Sequence, residues 1–154
     1  MPVIRDPKAI EGRRGTIYPK EFAQGFERRV KRALTGPLGL TQFGVNLTTL
    51  EPGAMSAHRH WHRAEDEAIY VLEGEITLID DGGETVLRAG MAAGFPAGDA
   101  NGHHLVNRSA CPATYLEIGT RAESEDATYP DIDLRGEKRG STFRFFHKDG
   151  TPYT

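Results

Sequence analysis

Short apolar segments broken by turn residues extend from residue 38 to about residue 120, and they constrain the fold more than any other feature. The 18 glycines and nine prolines of the chain concentrate at the breaks between these segments. Many short strands with frequent turns favour a β-sandwich or β-barrel over alternating strands and helices. The sequence therefore predicts an all-β fold. The predicted strands cover residues 41–50, 57–62, 67–80, 84–88, 91–95, 103–107 and 113–119.

The segment before these strands, residues 1–38, is predicted to be an N-terminal extension with one short helix over residues 19–33. Phe22, Phe26 and Val30 recur at i, i+4 and i+8, which is the spacing of one helical face. The sequence thus predicts an amphipathic helix ahead of the first strand.

The segment after the strands is polar but carries aromatic residues. Residues 39–122 are predicted to form the core, and residues 123–154 a C-terminal extension of the same domain. Phe143, Phe145 and Phe146 lie in this tail, and a free tail seldom carries so many aromatic side chains. We therefore expect the tail to dock on the body through a last strand.

The charge of the chain does not favour nucleic-acid or membrane binding, because the formal net charge is −3. The basic run over residues 28–32 is interpreted as a solvated helix face rather than a nucleic-acid patch. No apolar run approaches the roughly 20 residues of a membrane span, and the start has no apolar signal core, so we expect a cytoplasmic protein. The lone Cys111 cannot form an internal disulfide.

Five of the six histidines fall in two short stretches, one of which also holds a glutamate. Neutral imidazoles together with one carboxylate suit a divalent transition metal. A metal site is therefore the leading hypothesis for function. The residues of the two stretches are His58, His60, His62 and Glu67, then His103 and His104.

In the first stretch, alternation along a strand places His58, His60 and His62 on one face. Glu67 is an odd number of positions from His62, so an unbroken strand would send it to the other face. The polar residues 63–66 are expected to supply the turn that corrects this.

The spacing resembles the first motif of the cupin superfamily, which is Gly, His-x-His, three or four residues, Glu, six residues and Gly. His60, His62, Glu67 and Gly74 match from the histidines onward. A register that begins at His58 would leave eight residues between the acid and Gly74, so the later register is preferred.

The second cupin motif is Gly, five residues, Pro-x-Gly, two residues, His, three residues and Asn. Gly90, residues 96–98, His103 and Asn107 match it, with two extra residues before the histidine. Strand parity does not decide which of the adjacent histidines enters the pocket, and the His-x-x-x-Asn spacing selects His103 over His104.

The resemblance covers residues 40–120 and implies an RmlC-like jelly-roll β-barrel, often a homodimer. It also implies one divalent metal, iron, manganese, zinc or nickel, inside the barrel mouth. The ligands that it implies are His60, His62, Glu67 and His103.

Four protein ligands would leave positions on the ion open to a small molecule. The first hypothesis is an enzyme that carries out isomerisation, lyase-type proton transfer or dioxygenation. His58 is the candidate acid or base, or else a residue that supports the ligands. The alternatives are a non-catalytic module that binds or senses a sugar-like ligand, and a metal that only stabilises the barrel. Strand parity predicts an apolar pocket lined by Phe43, Val45, Leu47, Ile69, Val71, Phe95 and Leu105.

Overall fold

The computed structural model describes residues 1–154 and consists of twelve antiparallel strands with two single 3₁₀ turns, Pro7–Ala9 and Lys20–Phe22. The all-β prediction is confirmed. The strands are β1 (Arg29–Ala33), β2 (Phe43–Leu50), β3 (Trp61–His62), β4 (Glu67–Glu73), β5 (Glu75–Asp80), β6 (Gly83–Arg88), β7 (Ala92–Phe95), β8 (His104–Val106), β9 (Ala113–Thr120), β10 (Ser124–Tyr129), β11 (Leu134–Arg139) and β12 (Thr142–Phe146).

Three sheets form the walls of the fold. The largest has the strand order β1-β2-β9-β4-β7, a second has the order β6-β5-β8, and the third has the order β12-β11-β10-β3. Apolar side chains from the first two sheets pack together as one core. This core contains Leu50, Ala54, Ile69, Val71, Ile76, Leu87, Leu105, Ala113 and Tyr115.

The predicted N-terminal helix is wrong. Residues 19–33 hold only the Lys20–Phe22 turn and then strand β1, and Gly25 between them has a φ of 92°. Strand β1 pairs with β2 over its whole length. The helical spacing of Phe22 and Phe26 was misleading because pairing with a neighbouring strand outweighs a weak local preference.

Two predicted strands differ most from the observed ones. The predicted strand over residues 67–80 divides into β4 and β5 at Gly74, whose φ is 79°. A Cβ atom there would lie 2.7 Å from the carbonyl oxygen of Pro112, so only glycine fits this turn. Of the predicted strand over residues 57–62, only Trp61–His62 is paired as a strand.

The C-terminal tail forms three strands rather than one. Strands β10, β11 and β12 pair in succession, and β10 also pairs with β3 through Ala127–His62 and Thr128–Trp61. A second, smaller core forms under this sheet around Tyr129 and Leu134. The tail therefore supports the strand that carries His62.

None of the helical segments has the length and apolar character of a membrane-spanning helix.

Candidate metal centre

The four candidate ligands lie together and line one cavity. His62 ends β3, Glu67 begins β4, and His60 and His103 face each other in an isolated antiparallel bridge. The two backbone hydrogen bonds of this bridge are 3.1 and 2.9 Å long. Backbone pairing thus sets the separation of His60 and His103 before any ligand is bound.

The side chains of these four residues converge on one another. His62 Nε2 lies 3.1 Å from one carboxylate oxygen of Glu67, and His103 Nε2 lies 3.4 Å from the other. The ligand atoms of His60, His62 and Glu67 all lie within 4.8 Å of one another. The His60 and His103 ring centres are 5.0 Å apart. The arrangement gathers His60, His62 and Glu67 within reach of one ion and places His103 beside the Glu67 carboxylate.

A buried carboxylate holds the turn between His62 and Glu67. Glu125, on β10, is 2 % exposed, and its carboxylate accepts hydrogen bonds from the backbone N–H groups of Arg63 and Ala64. The chain bends there and starts β4 in the register that directs Glu67 towards His62. This turn supplies the change of face that an unbroken strand would not allow.

The protonation states of the cluster follow from its burial and its hydrogen bonds. Burial lowers the pKa of His60 to about 3. Its Nδ1–H donates to the carbonyl oxygen of His58 at 2.8 Å, which leaves a lone pair on Nε2. Burial raises the pKa of Glu67, but hydrogen bonds from His103 and His62 outweigh this effect and hold the pKa well below its usual value. Burial lowers the pKa of His62, but the Glu67 carboxylate outweighs it and raises that pKa.

This donor set fits a divalent transition metal. A charged, largely buried carboxylate needs a positive partner, and imidazole nitrogens are good ligands for such ions. The Nδ1 atoms of His62 and His103 are buried without a hydrogen-bond partner, so the protein alone does not satisfy these rings. Phe95 stacks on the His103 ring at a centroid distance of 3.5 Å and fixes its plane. A ring that is already held in its orientation favours metal binding without rearrangement.

The other histidines lie apart from this cluster. His58 Nε2 donates to the carbonyl oxygen of Phe22 at 2.8 Å, and the ring packs against Tyr18 rather than lining the cavity. His104 Nδ1 bonds to the carbonyl oxygen of Ala57. His147 bonds to Asp133 on the surface. His58 thus contacts the site through its backbone carbonyl, and an acid or base role for its side chain stays a prediction.

Beside the cluster is a cavity of about 380 Å³. The prediction of an apolar pocket is wrong, because most of its lining residues are polar or charged. Ile69, Phe95 and Leu105 line it as expected, whereas Val71 is part of the apolar core. On β2 the inward residues are Gly44 and Asn46, so the predicted wall residues Phe43, Val45 and Leu47 are on the opposite face.

Sequence reasoning missed the charged residues of this cavity. Residues 29–32 of the basic run lie in strand β1, not on a solvated helix face, and the alternate residues Arg29 and Lys31 line the cavity. On β9, Glu117 lines it as well and pairs with Lys31 at 3.1 Å. The run itself gives no alternating pattern that could have indicated a strand, because four of its five residues are basic.

Comparisons with known proteins agree with this architecture. The family model for the cupin domain matches residues 46–119. No match was found among curated proteins. A sugar phosphate isomerase of the cupin superfamily from Silicibacter pomeroyi is 46 % identical, with 98 % of this chain and 96 % of that chain covered and a TM-score of 0.94.

Two further solved structures are more distant. A putative sugar phosphate isomerase from Acidithiobacillus ferrooxidans is 30 % identical over 79 % of this chain and 77 % of its own length, with a TM-score of 0.73. A polyketide cyclase from Streptomyces resistomycificus shares the fold at 20 % identity and a TM-score of 0.63, with 76 % and 78 % covered. The chain belongs to the cupin superfamily.

Proposed function

We propose that this protein is a metal-dependent isomerase of a small phosphorylated hydroxy-aldehyde or hydroxy-ketone. The observation that carries the proposal is that three imidazoles, the Glu67 carboxylate and a separate carboxylate, Glu117, share one cavity. The sugar phosphate isomerase from S. pomeroyi, 46 % identical over nearly the whole chain, supports the reaction class.

The proposed metal ligands are His60, His62, Glu67 and His103. A divalent metal at this site would polarise the carbonyl and hydroxyl oxygens of a substrate. His60 Nε2 presents a lone pair because its Nδ1–H is held by the His58 carbonyl, and Glu67 supplies the negative charge. Phe95 stacks on the His103 ring and holds its orientation.

Glu117 is the proposed proton carrier. Glu117 pairs with Ile69 across β9 and β4, while Glu67 pairs with Gly119, so the two glutamates are diagonal neighbours on the inner face. Diagonal pairs are about 7–8 Å apart, which leaves room for a small substrate between them. Gly119 beside Glu67 adds no side chain to this space.

The proposed reaction needs no oxidant, because substrate and product have the same atoms. The Glu117 carboxylate takes the proton from the hydroxyl-bearing carbon next to the carbonyl and returns it to the former carbonyl carbon. The hydroxyl proton passes to the former carbonyl oxygen. Lys31, 3.1 Å from the carboxylate, holds the Glu117 side chain in place between turnovers.

The test is metal analysis followed by an exchange assay. Wild-type protein and His62→Ala are purified without added metal, and we expect near-stoichiometric metal that falls sharply in the variant. Sugar phosphates are then incubated with protein in D2O, and interconversion and C–H exchange are followed by NMR. Glu117→Gln should retain metal and lose turnover by about 100-fold or more.

A matched control is Glu84→Gln, an exposed glutamate paired with Arg108 outside the cavity, which should turn over like wild type. Full metal loading with no exchange on any sugar phosphate would contradict the isomerase. Tight ligand binding without product would instead favour the sensor module. Oxygen consumption by an iron-loaded protein would favour dioxygenation.

We also propose a homodimer that covers the outer face of the largest sheet. Tyr70 and Leu72 on β4 are 44 % and 45 % exposed, and Ile118 on β9 is 39 % exposed on the same face. A broad apolar sheet face is unusual on a monomer of this size. We also propose a cytoplasmic location. Residues 1–38 and 123–154 are proposed to belong to the same domain as the core, because β1 pairs with β2 and β10 pairs with β3.

A further inference from the structure

Three cationic side chains share one face of the cavity wall away from the histidines. Arg29 and Lys31 are alternate residues of β1, so their side chains project to the same side. Arg13 and Lys31 exchange two backbone hydrogen bonds of 2.9 Å, so Arg13 lies directly opposite Lys31. Directly opposed residues also share a face. All three residues line the cavity.

Arg29 is a buried cation without a counter-charge. It is 6 % exposed, and no carboxylate oxygen lies within 4 Å of its guanidinium group. Its two terminal nitrogens donate to the carbonyl oxygens of Ser56 and Gly15, and its Nε–H is buried without a partner. A buried charge that meets only neutral acceptors is costly to the fold. An anion bound in the cavity would remove this cost.

The charge of the whole cavity also favours a bound anion. Its walls carry five cationic side chains and three carboxylates, of which Glu67 already faces the histidines. The other two carboxylates, Glu117 and Glu65, are paired with Lys31 and Lys138. No carboxylate remains for Arg29 or for the arginines at the rim. An excess of positive charge in a partly enclosed cavity attracts a multiply charged anion.

A purely structural role explains only part of this arrangement. Arg29 does join the segments around Gly15 and Ser56 through its terminal nitrogens. That role gives no reason for placing Arg13 directly opposite Lys31, where like charges destabilise the pair. A shared anionic ligand accounts for all three residues.

We propose that Arg13, Arg29 and Lys31 form a subsite for the phosphoryl group of the substrate. Two planar guanidinium groups and a lysine ammonium are better matched to a ligand with a phosphate dianion than to a ligand with a single carboxylate. Lys31 Nζ reaches to 3.1 Å from Glu117, the diagonal neighbour of Glu67. A sugar phosphate of a few carbon atoms can therefore place its phosphate here and its carbonyl at the metal cluster. The link to a substrate rests on the proposed function, whereas the anion site itself does not.

The test uses inorganic phosphate and chelator-treated protein, so that no metal contributes to binding. Isothermal titration calorimetry should show millimolar or tighter binding of phosphate and weaker binding of acetate. Arg13→Gln should weaken phosphate binding by about three- to tenfold, the range for one charge-assisted contact near the surface. Arg29→Lys should weaken phosphate binding further. Lys31→Met, the third variant, tests the remaining cation of the subsite in the same way.

Arg14→Gln is the matched control, because Arg14 is the next residue, pairs with Glu51 and does not line the cavity. It should bind phosphate within twofold of wild type. Circular dichroism checks that each variant is folded, and Arg13 at the rim keeps the test valid if the Arg29 variant does not fold.

Several results would overturn the subsite. They are no phosphate binding at millimolar concentration, equal weakening by the Arg13 and Arg14 variants, and loss of binding only in Arg121→Gln, which would place the anion elsewhere. Binding that requires metal and disappears in His62→Ala would also overturn it. Phosphate binding through Arg13 with no turnover would keep the subsite and contradict the isomerase.

Discussion

Replacing Glu125 by glutamine should destabilise the fold and weaken metal binding together. The Glu125 carboxylate accepts the backbone N–H of Arg63 at 2.7 Å and that of Ala64 at 2.9 Å. These bonds hold the turn that joins His62 to Glu67. Glutamine has nearly the same shape, so the change removes the charge and one acceptor with little change in packing.

The size of the effect follows from these contacts. Each bond from a backbone N–H to a charged acceptor contributes about 1.5–3 kcal/mol, and a buried N–H left unpaired costs about 1–3 kcal/mol. The glutamine oxygen can still accept from Arg63 and, at 3.1 Å, from Ala64, but its NH₂ group would replace the closer oxygen and face the N–H of Ala64. We therefore expect a loss of about 3 kcal/mol in the free energy of unfolding, or about 6–12 °C in Tm for a domain of this size.

Urea unfolding of the chelator-treated protein measures the first effect, and competition with a chromophoric zinc chelator measures the second. Zinc affinity should fall about 10- to 100-fold, because the turn supports two ligands without touching the ion. Glu123→Gln is the matched control, since Glu123 is exposed two residues away on the same segment. A loss below about 0.5 kcal/mol for Glu125→Gln, the range of ordinary surface substitutions, would refute this reasoning.

Three further predictions concern pH, a turn and the outer sheet face. Because the pKa of His60 is about 3 in the fold and 6.5 in the unfolded chain, the metal-free protein should lose stability as pH falls from about 6.5 towards 3. The free energy of unfolding in urea, measured against pH, tests this. Equal slopes of that free energy for wild type and His60→Asn would contradict it. Gly74→Ala should lower the free energy of unfolding by about 2–4 kcal/mol in the same assay, because the residue has positive φ and its new Cβ meets the Pro112 carbonyl. Gly140→Ala also has positive φ but open space around it, so it should cost only about 1–2 kcal/mol. Equal costs would show that the contact with the Pro112 carbonyl is unimportant. Tyr70→Lys should convert the proposed dimer to a monomer in sedimentation analysis, and a wild-type protein that sediments as a monomer would remove the basis for that proposal.

Local spacing predicted the parts of this protein that depend on neighbouring residues. The turn at Gly74 was not among them, because one unbroken strand was predicted over residues 67–80, and only the structure shows that no side chain fits there. The grouping of His60, His62 and Glu67 follows from their short separation in the chain, since two strand ends and one turn bring them together. His103 comes from a distant segment, and the motif spacing rather than parity selected it over His104.

Alternation along a strand could not decide which face is inward. Val45 and Leu47 are apolar and were expected in the pocket, yet the polar Asn46 faces it. Both faces of β2 carry apolar residues, and only the pairing with β9 and β1 determines which side is enclosed. The same limit applies to His58, whose segment is not a strand and whose ring turns towards Tyr18.

The sequence by itself therefore determined the all-β class and the grouping of His60, His62 and Glu67, because these depend on composition and on short separations along the chain. The resemblance to the cupin motifs added His103 as the fourth candidate ligand. The tertiary structure alone showed that Arg29 and Lys31 face a cavity and that Glu125 holds the turn beside His62. Those contacts join residues 14 or more positions apart. Their partners are chosen by sheet pairing and burial, which no local pattern of residues specifies.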